Sequence, residues 1–388
     1  MEETVKNLLL VIIIGVIKIE SLFGLGLDFG GYIYENFSLY SKPASAGLFG
    51  IQENNDVLPV NIIRARLRPT LNFSEDSRIT MQYEADLLYS RLNIPMVGGS
   101  GMTNRQALDL HWRFYDTNSL VAQHFIDMLY FKQIFGFGEL TFGRQVISWG
   151  VGRIWQPTDL FNPINPANFS KLEKDGADAL SMKFYLGSFT DLEVVTDFRK
   201  NVKDYNYGGR FRTNFEEFDL SAIAGYFDRK VVAGGDFAGN VGGAGVRGEG
   251  IFSYSPTSTD SNYVRFILGV DYQFTSELYG LLEYQYNGRG TICKSCYDLQ
   301  SLMKGEIQNV GLNYIAIQAN YLPHPLVTLS GGGMLNMNDL SGYTNLSCTV
   351  NALQNLNVGI GGFYFFGGTL DEFWYYPSAL YLSGQWFF

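Results

Sequence analysis

Residues 263–287 read YVRFILGVDYQFTSELYGLLEYQYN, and this stretch decides the fold. In its first half Val264, Phe266, Leu268, Val270, Tyr272 and Phe274 hold alternate positions, with Arg265, Asp271 and Gln273 between them. In its second half Leu278, Leu282, Tyr284 and Tyr286 alternate with Glu277, Glu283, Gln285 and Asn287. Successive side chains of a strand point to opposite faces, so each half is a strand with one apolar and one polar side. Only Thr275-Ser276 separates them, the length of a hairpin turn. Further on, Leu346, Cys348, Val350 and Ala352 alternate with Asn345, Ser347, Thr349 and Asn351 in the same way.

Alternation alone fits a soluble sandwich as well as a membrane barrel. Two features favour the membrane. Aromatic residues gather toward the strand ends, where an interfacial girdle requires them. The chain also ends YLSGQWFF, with Leu380, Leu382, Trp386 and Phe388 on one face. A last strand left unpaired in lipid exposes its backbone groups, so it must pair with the first and close a barrel. This ending resembles the C-terminal signature of Gram-negative outer-membrane barrels, and the resemblance implies that the barrel-assembly machinery reads Phe388. Composition agrees: 44 glycines, 25 tyrosines and 30 phenylalanines accompany only 17% charged residues. No long window carries a 3.6-residue period, and none after the N-terminus is a membrane helix.

The N-terminus has a polar head with Glu2, Glu3 and Lys6, then the apolar run Leu8–Ile17, then Lys18. Ten apolar residues are too few to cross a bilayer as a helix but suit the core of a secretory signal. Gly24-Leu25-Gly26 supplies the small residues of a cleavage site, so residues 1–26 are expected to leave and 27–388 to form the barrel. Candidate strands centre near 34, 67, 83, 110, 127, 142, 182, 195, 209, 222, 235, 248, 268, 282, 315, 331, 347, 360 and 382. A barrel with both termini on one side needs an even number. The weakest are the glycine-rich pair near 235 and 248 and the segment near 127. The expected fold is therefore all-β, a transmembrane antiparallel up-and-down barrel of about 18 strands, with 16 as the alternative. Longer loops fall at 41–60, 90–104, 147–176, 288–307 and 367–375.

Inside such a barrel the polar faces line a lumen. Arg64, Arg66 and Arg68 stand two apart and point one way, while Ile63, Ala65 and Leu67 point the other. An arginine facing mid-bilayer lipid costs about 2–4 kcal/mol, so all three must face inward. Glu84 and Asp86 continue the pattern, as do Arg105, Asp109, His111 and Arg113, then Arg210 with Arg212, and Arg247 with Glu249. A barrel of this size leaves an aqueous interior, and a basic ladder facing acidic groups gives it a transverse field. The alternative is a lumen plugged by charges that only satisfy one another. The net charge of -10 does not settle ion preference, because many acids lie in loops.

Other chemistries lack their residues. The three histidines, His111, His124 and His324, accompany no G-x-S-x-G and no H-E-x-x-H, so no catalytic residue is assigned. Cys293 and Cys296 form a lone C-x-x-C without two further zinc ligands, and a local disulfide is the expected state. No cofactor is expected, and no basic stripe interleaved with aromatics points to nucleic acid.

The segment that breaks the alternation is Gly143–Pro166, GRQVISWGVGRIWQPTDLFNPINP, followed by KLEKDGADAL. Glycine permits sharp bends at Gly143 and Gly150, while Pro157, Pro163 and Pro166 forbid ladder pairing. Thr158 or Asp159 is placed to cap a short helical turn over DLF. Trp149, Trp155, Leu160 and Phe161 need a surface to bury against, and the barrel interior offers one. Residues 147–176 are thus expected to fold inward and narrow the lumen, with Arg144, Arg153, Lys171 and Lys174 set against Asp159, Glu173 and Asp175. This motif resembles one that recurs in a largely uncharacterised group of Gram-negative outer-membrane porin-like barrels, and more loosely alginate-export channels. GGAGVRGE at 242–249 is a second, weaker similarity. The resemblance implies fold and location, with transport as the role. The expected function is an outer-membrane channel for passive or substrate-selective diffusion of small hydrophilic solutes, charged ones included, embedded in outer-membrane lipids. The alternatives are an export conduit for an anionic polymer and a scaffold barrel for a periplasmic partner. Oligomeric state is not legible.

Overall fold

The computed structural model describes residues 26–42, 57–90, 106–117, 119–162, 173–256, 262–299, 302 and 307–388. The expected signal lies outside these residues except for Gly26, which pairs with Asn72. All the strand segments belong to one antiparallel sheet, and the sheet closes on itself. Gly31–Ser41 pairs on one side with Val57–Leu67 and on the other with the last strand, Ala379–Phe387, so Tyr32 stands opposite Phe387. No edge is left, as a spanning sheet requires.

Two of the 21 strand segments only extend others. Gly26–Asp28 continues Gly31–Ser41 past Phe29-Gly30, and Thr70–Asn72 continues Val57–Leu67 past Arg68-Pro69. A third, His111–Asp116, pairs with Leu120–Phe135 alone. Eighteen spanning strands remain. The surplus among the sequence candidates is therefore the one near 110, not the ones at 127, 235 or 248. His111–Asp116 does alternate, which is why it reads as a strand, but its six residues cannot span the bilayer. It fills the wall where Gly138–Gln145 leaves the edge of Leu120–Phe135 above Leu129. Lys230–Val241 and Ala244–Tyr254 are full strands despite their glycines, and aromatic rings cover two of these, Gly239 and Gly248. A Cβ at Gly239 or Gly248 would lie 2.5 Å from the Phe218 ring or 2.6 Å from the Phe237 ring.

Alternation sets the two faces. Val264, Leu268, Val270 and Tyr272 are exposed on the outer wall, while Ile267 behind them is buried. On the neighbouring strand Leu282 faces out, and Glu283 and Gln285 are buried inside. One end of the barrel carries tight turns such as 136–137, 242–243 and 354–355; the long connections lie at the other end. Both described chain ends lie at the tight-turn end, the periplasmic end of such barrels.

The interior is not empty. The loop after Gly138–Gln145 turns inward, and its two tryptophans dock on different parts of the wall. Trp149 packs with Phe161, Ile223 and Phe227; Trp155 packs with Ile267, Tyr314, Met334 and Phe373. Full burial of each large side chain stabilises the docked loop by about 1.5–3 kcal/mol. At the root Gly143 has φ 120, and a Cβ there would sit 2.3 Å from the Leu129 carbonyl oxygen. That conformation belongs to glycine.

Candidate functional site

The inward loop is held by the wall through its backbone. Glu249 accepts hydrogen bonds from the amides of Val151 (2.5 Å), Gly152 (3.3 Å) and Thr158 (3.3 Å), and from the Thr158 hydroxyl at 3.1 Å. Glu283 accepts from the amides of Arg153 (2.9 Å), Ile154 (3.2 Å) and Trp155 (2.8 Å). Consecutive N–H groups converging on one oxygen acid form an anion-binding concavity, here filled by the protein's own carboxylates. Loop carbonyls are met by arginines: Arg265 donates to Pro157 O at 3.1 Å, while Arg210 and Arg247 reach Trp149 O and Val151 O at 3.5 Å each. The expected helical turn over DLF is absent, and neither expected cap is spent on it: Thr158 gives its hydroxyl to Glu249, and Asp159 pairs with Lys174.

The loop is also stitched to itself. Lys174 donates to Ser148 Oγ (2.8 Å) and Gln156 Oε1 (2.5 Å) and pairs with Asp159. Asn162 accepts from the Ile147 amide at 3.0 Å and donates to Asp175 O, which closes the base. Burial lifts the Asp159 carboxyl to about 6, against the opposing pull of Lys174. Arg153 has an exposed side chain with no ion-pair partner among the described residues.

The arginine ladder is largely neutralised. Arg64 pairs with Glu84 (2.8 Å) and Asp86 (2.9 Å), and Arg66 with Glu84 (2.5 Å), Asp127 and Glu173 (3.1 Å). Arg68 also meets Glu173 but stays part-exposed. Glu173 thus ties the returning limb of the loop to the ladder instead of to the loop's own lysines. Arg210 pairs with Glu193 at 3.1 Å and lies over the Trp149 ring, while Arg212 pairs with Asp191 at 2.5 Å. Both project inward.

Arg144 does something else. It stands opposite Asp178 and Leu129, on the face of Phe142, which points away from the lumen. Its guanidinium meets Asp178 at 2.8 Å and donates to the carbonyls of Ile126 (3.0 Å) and Leu108 (2.5 Å). Asp178 in turn accepts from the amides of Ala107 and Leu108 at 2.8 and 2.9 Å. The pair is a latch for the strap running into His111–Asp116. On that strap Asp109 and Arg113 are exposed, and Arg113 pairs locally with Asp116. His111 and His124 lie on opposite faces: His111 contacts Gln123, and His124 stacks on Trp112. Arg105 and Lys171 lie outside the described residues. Cys293 and Cys296 are joined in a short turn of the 288–312 loop, and Cys348 is free.

Over the loop, at the long-loop end, lies a cavity of about 810 Å³. Asp159 and Leu160 form part of its lining, with Arg199, Lys200, Arg229, Lys230, Arg265 and Arg289 around it. The acids among the described lining residues are Asp159, Asp204 and Asp228, so six described basic residues face three described acidic ones. Sequence reasoning missed this cluster, because its members come from strand ends and connections far apart in the chain.

Solved structures share the barrel fold. OccK8 (OprE) of Pseudomonas aeruginosa superposes with a TM-score of 0.57 at 9% identity, over 93% of this chain and 98% of that one. The fold is that of an outer-membrane porin. OccAB1 of Acinetobacter baumannii gives 0.56 at 10% identity over 93% and 96%, and a BenF-like porin from Pseudomonas fluorescens Pf-5 gives 0.56 at 9% over 93% and 98%. No family model matches the porin-like chain, and no curated protein matches its sequence.

Proposed function

We propose that this chain is a diffusion channel for small hydrophilic solutes, that the inward loop sets its bore, and that anions pass in preference to cations. The observation that carries the reading is the vestibule: among the described residues six basic ones stand against three acidic ones, in a chain whose net charge is -10. A cleft lined by one sign of charge between low-dielectric walls concentrates counter-ions at its mouth. A solute entering there meets the loop next, with the exposed Arg153 side chain on it.

The test is reversal potential across a planar bilayer under a salt gradient, with the purified barrel inserted. Anion selectivity is expected, and the double variant Lys200→Glu with Arg289→Glu should move the potential toward cation selectivity. A barrel that carries no current, or one that prefers cations, overturns the proposal. Swelling of liposomes in sugars of graded size measures the bore.

A further inference from the structure

A second segment of the chain also enters the barrel mouth. In the connection between Leu356–Phe366 and Ala379–Phe387, Glu372 and Phe373 are buried, each about 1% exposed. Glu372 accepts from the Tyr314 hydroxyl (2.6 Å), Asn336 Nδ2 (2.9 Å) and the Val310 amide (3.3 Å). Its own amide donates to Asp339 at 2.9 Å, and that of Phe373 donates to Ser341 Oγ at 3.2 Å. At the outer rim Lys294 pairs with Asp371. Three connections are thereby tied together around one buried carboxyl.

Tyr314 joins this knot to the inward loop. Its hydroxyl binds Glu372, and its ring lies 6.1 Å from that of Trp155. Trp155 and Phe373 share one apolar cluster. The Trp155 indole N–H is buried without an acceptor among the described residues. A buried donor left unpaired is costly, so Trp155 stays docked by packing and by its backbone bond to Glu283. A docked state held against such a cost is sensitive to what stands behind it.

We propose that the segment 371–376 is a keeper for the inward loop: Glu372, acting through Tyr314, determines how firmly Trp155 is docked and so how wide the channel stands. This rests on the reading of the chain as a channel whose bore the loop sets. Glu372 is a positioning residue, since it reaches the solute path only through Tyr314.

Burial also lifts the Glu372 carboxyl to about 7, against the hydrogen bonds from Tyr314, Val310 and Asn336, while Asp339 pushes it the same way as burial. The other ionisable groups near it are Tyr314, Tyr297, Asp371 and Lys294. A raised acid pKa means that the docked state holds the proton more tightly than an undocked, hydrated one. Docking is then strongest below about pH 4.5 and weakens as pH rises through about 7.

Single-channel recordings at pH 5 and pH 8 test this on wild type, Glu372→Gln and Glu372→Ala. Wild type should visit an enlarged conductance level at least roughly tenfold more often at pH 8 than at pH 5. E372Q, which imitates the protonated acid, should stay at the acid behaviour at both values, and E372A should show the enlarged level at both. Tyr314→Phe keeps the ring against Trp155 and removes the hydroxyl, so it decides the matter if E372A does not fold; it should resemble E372A. A conducting wild type whose levels match those of E372A and Y314F at both pH values overturns the keeper. A wild type that carries no current overturns the channel reading instead.

Discussion

Glu283→Ala is the most direct test of how the loop is held. The carboxylate is fully buried and receives three consecutive loop amides, from Arg153, Ile154 and Trp155. Each hydrogen bond to a charged acceptor contributes about 1.5–3 kcal/mol net, and each buried donor left unpaired costs about 1–3 kcal/mol. These figures do not add, because lumen water reaches some of the freed amides. Removing one partner of a buried charged contact costs about 3–5 kcal/mol. Taking the lower end, about 3 kcal/mol, the ratio of docked to undocked loop should fall roughly 100-fold. The assay is open-channel noise and dwell time in single-channel recordings, with liposome swelling as a second measure. Glu283→Gln can keep one carbonyl acceptor for the amides of Ile154 and Trp155 while its NH2 faces that of Arg153, so it should loosen the loop less than alanine does. Glu277→Gln, in a turn at the other end of the barrel, is the control and should change nothing. If E283A inserts normally and its noise, conductance and dwell times equal those of wild type, the amide clamp does not hold the loop.

Two further outcomes concern the loop's root. Gly143→Ala puts a Cβ 2.3 Å from the Leu129 carbonyl at φ 120, which should destabilise the barrel by roughly 1–3 kcal/mol, read as a lower midpoint of heat-induced unfolding in detergent. Arg144→Gln leaves Asp178 buried without its cation, at a cost of about 3–5 kcal/mol, and should free the strap at 106–116 to protease while ion selectivity stays unchanged.

The faces of the wall were legible because a strand has a period of two and lipid tolerates few charges. The pattern at 263–287 stands in the barrel as it reads in the chain, with Val264 and Leu268 outside and Glu283 and Gln285 inside. The aromatic, proline-broken stretch from 143 was also legible as something needing burial, and Trp149 and Trp155 found it inside. What the charges do was not legible. Arg64, Arg66 and Arg68 share a face in any strand, but register and the returning loop decide that Glu84, Asp86, Asp127 and Glu173 meet them. Arg144 sits beside the loop in sequence and outside the lumen in space, because alternation puts Gly143 and Gln145 on one face and Arg144 on the other. Glu249 and Glu283 read only as lumen polarity. The signal that was there is a pair of inward carboxylates on strands 244–254 and 278–287, facing a loop whose prolines and glycines leave its amides without ladder partners.

The same bookkeeping explains how an acidic chain presents a basic mouth. Glu249 and Glu283 face converging amides, Glu372 faces a hydroxyl and two N–H groups, and Glu193 faces Arg210, the Ser181 hydroxyl and the Trp149 indole. Oriented dipoles and arginines take up the field of these acids where they stand, inside the wall and under the loop. Asp178 is paired on the outer face, and Glu277 lies in a turn at the far end. In the vestibule, by contrast, Lys200 and Arg289 have no ion-pair partner among the described residues. Coulomb interactions across water fade within about 8–10 Å at physiological salt, so a solute at the mouth senses the vestibule and little of the rest. A net charge of -10 and a preference for anions are therefore compatible. Glu249 and Glu283 are spent on holding the loop, whereas Lys200 and Arg289 stand exposed in the vestibule.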